Sequence, residues 1–176
     1  MSAESKRHYL HLYTGNGKGK TTAASGLVLR GVAQGWKVFF GQFIKNSPSG
    51  EISLLRERFP EVTVEQFGRG FFLRRAPEPA DLEAAVNGLQ RLQKVAEAEE
   101  HRMIVADELL IALKYELISP SAVLHLADTC STRAELIFTG RYAPDWLIER
   151  ADLVSEIQPL KHYYQAGVPA RKGIER

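Results

Sequence analysis

A chain of 176 residues, 44% hydrophobic and 25% charged, is long enough for one domain with a sizeable core and has the composition of an ordinary globular protein. Its net charge of +2 gives no field favouring nucleic acid or an anionic membrane, and its longest apolar runs, such as LLIAL at 109–113, fall far short of a bilayer span. MSAESKRHYL at the N-terminus lacks an apolar signal core, and the single cysteine, Cys130, has no internal disulfide partner. Both point to a reducing cytoplasm, with Cys130 read as a small buried hydrophobe rather than a nucleophile.

Residues 1–8 read as a flexible lead-in and 9–176 as one domain. The apolar run 9–13 predicts a strand. It enters TGNGKGKT (14–21), which in turn enters a helical run, 21–34. Glycines at 15, 17 and 19 leave room for backbone N–H groups to converge on an anion, and Lys20 and Thr21 stand where a triphosphate and its magnesium need them. The loop departs from G-x-x-x-x-G-K-[ST] only in having Thr14 at the first glycine position. Asn16, Lys18 and Thr22 complete the candidate nucleotide contacts, Lys18 either touching phosphate or standing in solvent. Arg30, about three turns along the helix, reads as a surface residue.

The next strand, 37–44, carries Gln42 at its end, with Lys45 following as a plausible substrate contact. A helix over 50–59 and a strand over 62–67 follow. GRGFFLRRAPEP (68–79) is glycine-rich, aromatic, basic and bounded by proline, and reads as a loop over the sheet. The helix 79–99 has apolar residues at helical spacing, among them Leu82, Val86, Leu89 and Leu92, opposite a charged face. A strand at 102–106 delivers Asp107 and Glu108 to the edge where ligands of parallel sheets bind. One of these carboxylates would hold magnesium with Thr21, and their chemistry does not separate them. A helix at 120–129 leads to a strand at 135–139 and then Thr139, Gly140 and Arg141. Arg141 has two readings of equal weight: a phosphate neutraliser, or the partner of a surface carboxylate. A helix at 144–149, a strand at 153–157 and an aperiodic tail at 161–176 complete the chain. Strands alternating with helices predict an α/β fold with a mostly parallel, doubly wound sheet, the three-layer sandwich of phosphate-loop (RecA-like) domains. No metal-ligand spacing such as H-E-x-x-H occurs.

The assembled segments are similar to one family. TGNGKGKTTAA (14–24), GQFIK (41–45), GRGF (68–71), DELLIALKYELI (107–118), TGRYAP (139–144), KH (161–162) and GIE (173–175) occur in family order. The chain resembles the ATP:corrinoid adenosyltransferases of the phosphate-loop type. The resemblance implies that a Co(I) corrinoid attacks C5′ of ATP, forming a cobalt–carbon bond and expelling triphosphate. It implies Lys20, Thr21 and Glu108 as the catalytic set, with Thr21 and Asp107 or Glu108 on a Mg2+ (or Mn2+) ion. It implies a flavoprotein reductase as electron donor, a homodimer, and ATP bound with reversed polarity in the loop, of which Thr14 is the trace. Phe71 then lies against the lower face of the corrin, and Leu73 stands where the family has tryptophan, implying less efficient displacement of the lower axial ligand. The other reading of Phe71, Phe72 and Leu73, as core or subunit-contact residues, has equal weight. His162 is read as a structural hydrogen-bonder and Glu175 as a residue approaching the nucleotide. Two other functions fit the loop: a kinase or ATPase releasing ADP, and a non-catalytic corrinoid- or nucleotide-binding module.

Overall fold

The structure, a computed structural model, describes residues 8–46, 50–70 and 75–175. In chain order these form β1 (Leu10–Thr14), α1 (Lys20–Val32), β2 (Val38–Gln42), α2 (Gly50–Arg58), β3 (Val62–Gln66), α3 (Pro79–Glu97) and β4 (Met103–Asp107). There follow α4 (Leu109–Lys114), α5 (Pro120–Cys130), β5 (Glu135–Thr139), α6 (Asp145–Arg150), β6 (Leu153–Glu156) and a 3₁₀ turn over Tyr163–Ala166. The six strands make one sheet in the order β3-β2-β4-β5-β1-β6, and every pairing is parallel.

Successive strand residues point to opposite faces, and both faces are covered. Phe39, Ile104, Ala106, Leu136 and Phe138 face α3, α4, α5 and α6. Val38, Phe40, Met103, Val105 and Ile137 face α1 and α2. That is why β2 and β4 read as continuous apolar runs rather than alternating ones. The register sets Gln66 beside Gln42, Gln42 beside Asp107 and Tyr13 beside Thr139, so the carboxyl ends of five strands lie level along one edge.

Two elements depart from the sequence reading. The helix α4 is absent from it, because Leu109, Leu110, Ile111, Ala112 and Leu113 are all buried and leave no amphipathic period. β2 ends at Gln42, not 44, because Ile44 adopts φ 65° and the Lys45 N–H closes back on the Phe43 carbonyl at 2.6 Å. This is a tight γ-turn of the rare positive-φ kind.

The helix starts have local causes. Ser119 caps α5, its Oγ accepting from the Ala122 N–H at 3.2 Å, with Pro120 as first helical residue. At α3, Pro79 opens the helix and Asp81 Oδ2 accepts from the Glu78 N–H at 2.9 Å. Asp81 also takes both arms of Arg75, at 2.6 and 3.1 Å. The Arg75 guanidinium holds the Asp81 carboxyl below the usual carboxylate range. The stabilisation is therefore complete above the unfolded-state pKa and is lost as pH falls through the depressed native one. Asp81→Ala is expected to cost about 1 kcal/mol at neutral pH, about 2–4 °C in Tm for a chain of this size. The gap from wild type should close on acidification below about pH 3.9; a gap that persists there would show that packing, not the carboxylate, holds the helix start.

Cys130 is buried, and burial pushes its thiol up to about 12, in keeping with an inert core residue. No helix among the described residues is long and apolar enough to cross a membrane.

Candidate functional site

The 14–21 turn leaves β1 at the level edge and feeds α1. Gly15 and Gly19 take φ 96° and 119°, a region that favours glycine. The glycines serve two different ends. A Cβ at Gly15 or Gly17 would stand 2.5 or 2.7 Å from the Ile157 carbonyl oxygen. The Gly17 N–H donates to that oxygen at 2.6 Å, and the Ile157 N–H donates to Thr14 at 2.9 Å. The first half of the turn is thus braced by the exit of β6, and the Gly17 N–H is already used. Gly19 is the residue before α1, and a Cβ there would meet nothing within 4 Å. The open N–H groups are those of the first turn of α1, a 13-residue helix whose positive end faces the cleft.

That cleft has a volume of about 710 Å³, and Asn16 through Thr22 form one wall while Lys45, Glu108 and Arg141 also line it. Thr14 and Gly15 sit behind the wall. The Lys20 ammonium is folded onto the Gly17 carbonyl at 2.5 Å. Burial, and then the nearby Arg141 charge, hold its pKa below that of an ordinary lysine, against the pull of Glu108. Lys45 is the opposite case. Burial works against its charge, but Glu108, at 3.1 Å, and Asp107 outweigh it and hold its pKa up. Arg141 has no carboxylate partner among the described residues, so its surface-pair reading lacks a partner there.

Asp107 and Glu108 are separated by position. Asp107 is fully buried, its Oδ1 accepting from Thr21 Oγ1 at 2.8 Å and Thr139 Oγ1 at 2.6 Å, its Oδ2 from Gln42 Nε2 at 2.8 Å. Glu108 turns at φ 59°, gives its N–H to Thr139 Oγ1 at 3.0 Å and reaches the cleft. Ile44, Glu108 and Tyr142, at φ 65°, 59° and 65°, all lie just beyond strand ends at this edge. Positive φ on a β-branched residue costs of order 1–3 kcal/mol, and such strain gathers at ligand sites.

The tail returns over the same cleft. Glu175 pairs with Lys18 at 3.3 Å, accepts from the Arg171 N–H at 2.8 Å and bonds the Tyr163 hydroxyl. The Tyr163 hydroxyl and then the Arg171 N–H hold its carboxyl well below the usual range. His162 Nδ1 accepts from the Tyr164 N–H at 3.0 Å, and the residue also lines the cleft. Phe71 and Leu73 lie outside the described residues. Gln66, Ile157 and Tyr163 carry no local sequence signal and enter the site only through tertiary contact, whereas Thr139 stands at the strand end where the sequence placed it. A groove of about 1060 Å³ between α3 and α5, walled by Leu82, Val86, Leu89 and Leu117, is larger but mainly apolar. Charge, not size, singles out the cleft at the turn.

An all-parallel three-layer sheet with a Gly-Lys-Thr turn leading into its first helix is consistent with a phosphate-loop nucleotide-binding domain. The family model for ATP:corrinoid adenosyltransferase BtuR/CobO/CobP matches residues 6–176. The corrinoid adenosyltransferase of Pseudomonas aeruginosa is 35% identical over 175 residues, covering 98% of this chain and 86% of that protein. That of Escherichia coli K12 is 34% identical over 174 residues, covering 98% and 88%. The corrinoid adenosyltransferase of a Sinorhizobium species is 34% identical over 167 residues, covering 92% and 77%. The chain belongs to the ATP:corrinoid adenosyltransferase family.

Proposed function

We propose that this protein transfers the 5′-deoxyadenosyl group of ATP to the Co(I) centre of a reduced corrinoid and releases triphosphate. The observation carrying this reading is the convergence of Lys20, Lys45 and Arg141 on the N-terminal end of α1, in the cleft of a chain that belongs to this family. The reaction breaks the C5′–O bond. The cobalt lone pair becomes the new Co–C bond, and the bonding pair leaves with the triphosphate. The leaving group gathers negative charge as the bond breaks. Preorganised cations and N–H groups aimed at it stabilise that change more than they stabilise bound ATP. The chain's own work is to hold the triphosphate against Lys20 and the first turn of α1, to keep C5′ in line with cobalt, and to exclude water.

The donor set suits a divalent ion of the magnesium type. The Thr21 hydroxyl donates its hydrogen bond to Asp107, so its oxygen lone pairs remain for a ligand. Glu108 supplies a hard carboxylate in the cleft, and among the described residues no group of three His, Cys, Asp or Glu forms a closed metal cage. Mg2+ (or Mn2+) held by one hydroxyl, one carboxylate and the phosphates fits that pattern. When bound, the ion would neutralise charge on the departing triphosphate. On this reading Glu108 is the metal-side carboxylate and Asp107 orients Thr21. Glu108→Ala is expected to raise the magnesium needed for half-maximal rate about ten-fold with Tm little changed. Asp107→Ala is expected to cost about 3 kcal/mol of stability, because it strands the Gln42 amide and the Thr139 hydroxyl. The reverse ranking in thermal melts and metal titrations would exchange the two roles.

The deciding experiment is product analysis after incubation with ATP and chemically reduced corrinoid. Triphosphate with a light-sensitive adenosylcorrinoid supports the proposal; ADP or phosphate returns the kinase or ATPase reading, and no turnover the binding module. A homodimer, a flavoprotein reductase as electron donor and a cytoplasmic setting belong to the same proposal, the last supported by the lone buried cysteine.

A further inference from the structure

We propose that Gln42 and Gln66 form a positioning arm that acts through Asp107 to aim the Thr21 hydroxyl at a divalent cation bound with the nucleotide phosphates. The inference rests on the adenosyltransferase reading of the cleft and adds two residues that touch neither substrate nor metal. Gln66 Nε2 donates to Gln42 Oε1 at 2.8 Å, and Gln42 Nε2 donates to Asp107 Oδ2 at 2.8 Å. On the other carboxylate oxygen, Thr21 and Thr139 donate at 2.8 and 2.6 Å.

The direction of each bond follows from the carboxylate. An ionised Asp107 only accepts, so Gln42 must present its NH₂ end and Thr21 its proton. With its NH₂ so committed, Gln42 turns its carbonyl toward Gln66, which must then donate. Thr21, with its O–H committed to Asp107, turns its lone pairs elsewhere. The line therefore has one polarity from the end of β3, across β2 and β4, to the first turn of α1. Parallel register supports it, since Gln66, Gln42 and Asp107 are direct neighbours on adjacent strands.

Gln42 and Asp107 are both fully buried. A buried carboxylate oxygen that loses its donor costs free energy. Without the Gln42 amide the carboxylate gains by rotating toward its two hydroxyl donors, and that rotation carries the Thr21 hydroxyl with it. Partners of this kind, behind the ligands themselves, set the orientation of metal sites.

The test uses the full chain with Gln42→Met and Gln66→Met, changes that keep length and remove the amide. Mn2+ affinity is read by electron paramagnetic resonance with saturating ATP, ATP affinity by calorimetry in EDTA, and folding by thermal melts. Gln42→Met is expected to weaken Mn2+ on the order of ten-fold and Gln66→Met about three-fold, each with metal-free ATP affinity within about two-fold of wild type. If Gln42→Met does not fold, the Gln66→Met result decides alone. Unchanged Mn2+ affinity in folded variants overturns the arm, and so does an equal loss of metal-free ATP affinity, which would mean the glutamines merely support the turn. Thr21→Ala separates the two levels. If it loses Mn2+ affinity while the glutamine variants do not, the arm alone falls. If wild-type protein binds no Mn2+ with ATP, the reading of the cleft falls with it.

Discussion

Lys20→Met is expected to lower kcat/KM for adenosyl transfer by about 10²–10³-fold, ~3–4 kcal/mol, in a protein that folds as well as wild type. The two halves of that expectation have one cause. Lys20 is almost fully buried, and burial and Arg141 both disfavour its charge. A protein under selection for stability alone would not keep an ammonium there. Methionine keeps the length of the stem, removes the buried charge and forfeits one bond to the Gly17 carbonyl. These opposing changes should leave Tm within about 2–4 °C of wild type, the equivalent of about 1 kcal/mol. On the proposed reading the triphosphate, by contrast, would lose its most enclosed cation at the moment its charge grows. The loss should therefore appear in kcat more than in KM for ATP. Near-wild-type triphosphate release from a folded Lys20→Met protein would show that Lys45 and Arg141 carry the charge instead.

The parts of this molecule that were legible in its sequence are those whose cause is local. Each inner strand sends alternate residues into two cores, so 38–42 and 103–107 announce themselves as apolar runs bounded by polar ends. Proline at 79 and 120, with Asp81 and Ser119 beside them, marks helix starts through chemistry confined to one turn. Lys20 and Thr21 reach the cleft because a tight turn and a helix start put them there. What stayed hidden depends on distant segments meeting. Gly15 and Gly17 look like phosphate glycines, yet the carbonyl they make room for is that of Ile157, beyond β6. Asp107 and Glu108 are adjacent and chemically alike. The fold separates them, with the left-handed turn at Glu108 leaving the first sealed under the sheet edge and the second in the cleft. Helix α4 escaped notice because a helix buried all round has no period to read. The tail reads in sequence as an aperiodic cover, but its fastening over the cleft by Lys18, Tyr163 and Glu175 depends on residues far apart in the chain.

Gly68→Ala is expected to cost about 3 kcal/mol, at the upper end for overpacking, lowering Tm by roughly 6–12 °C and weakening activity beyond that loss. A Cβ at Gly68 would overlap the carbonyl carbon and oxygen of Ile44 and the Lys45 nitrogen. These are backbone atoms of the strained γ-turn, and no side chain there can swing aside. The Ile44 carbonyl also accepts the Gly70 N–H at 3.2 Å, so the two loops are tied at this point. Pushing Ile44 away displaces Lys45, and with it the 3.1 Å contact to Glu108 that places both groups in the cleft. Gly26→Ala supplies the contrast. A Cβ there meets nothing within 4 Å on the exposed side of α1, and alanine in a helix interior is worth about 1 kcal/mol over glycine. The same substitution is thus expected to raise Tm at 26 and lower it at 68. Measured in one background with ATP titrations alongside, a Gly68→Ala protein that keeps wild-type ATP affinity despite its lower Tm would uncouple the γ-turn from the cleft. One that loses both would tie the close packing of 68 on 44 to nucleotide binding in the cleft.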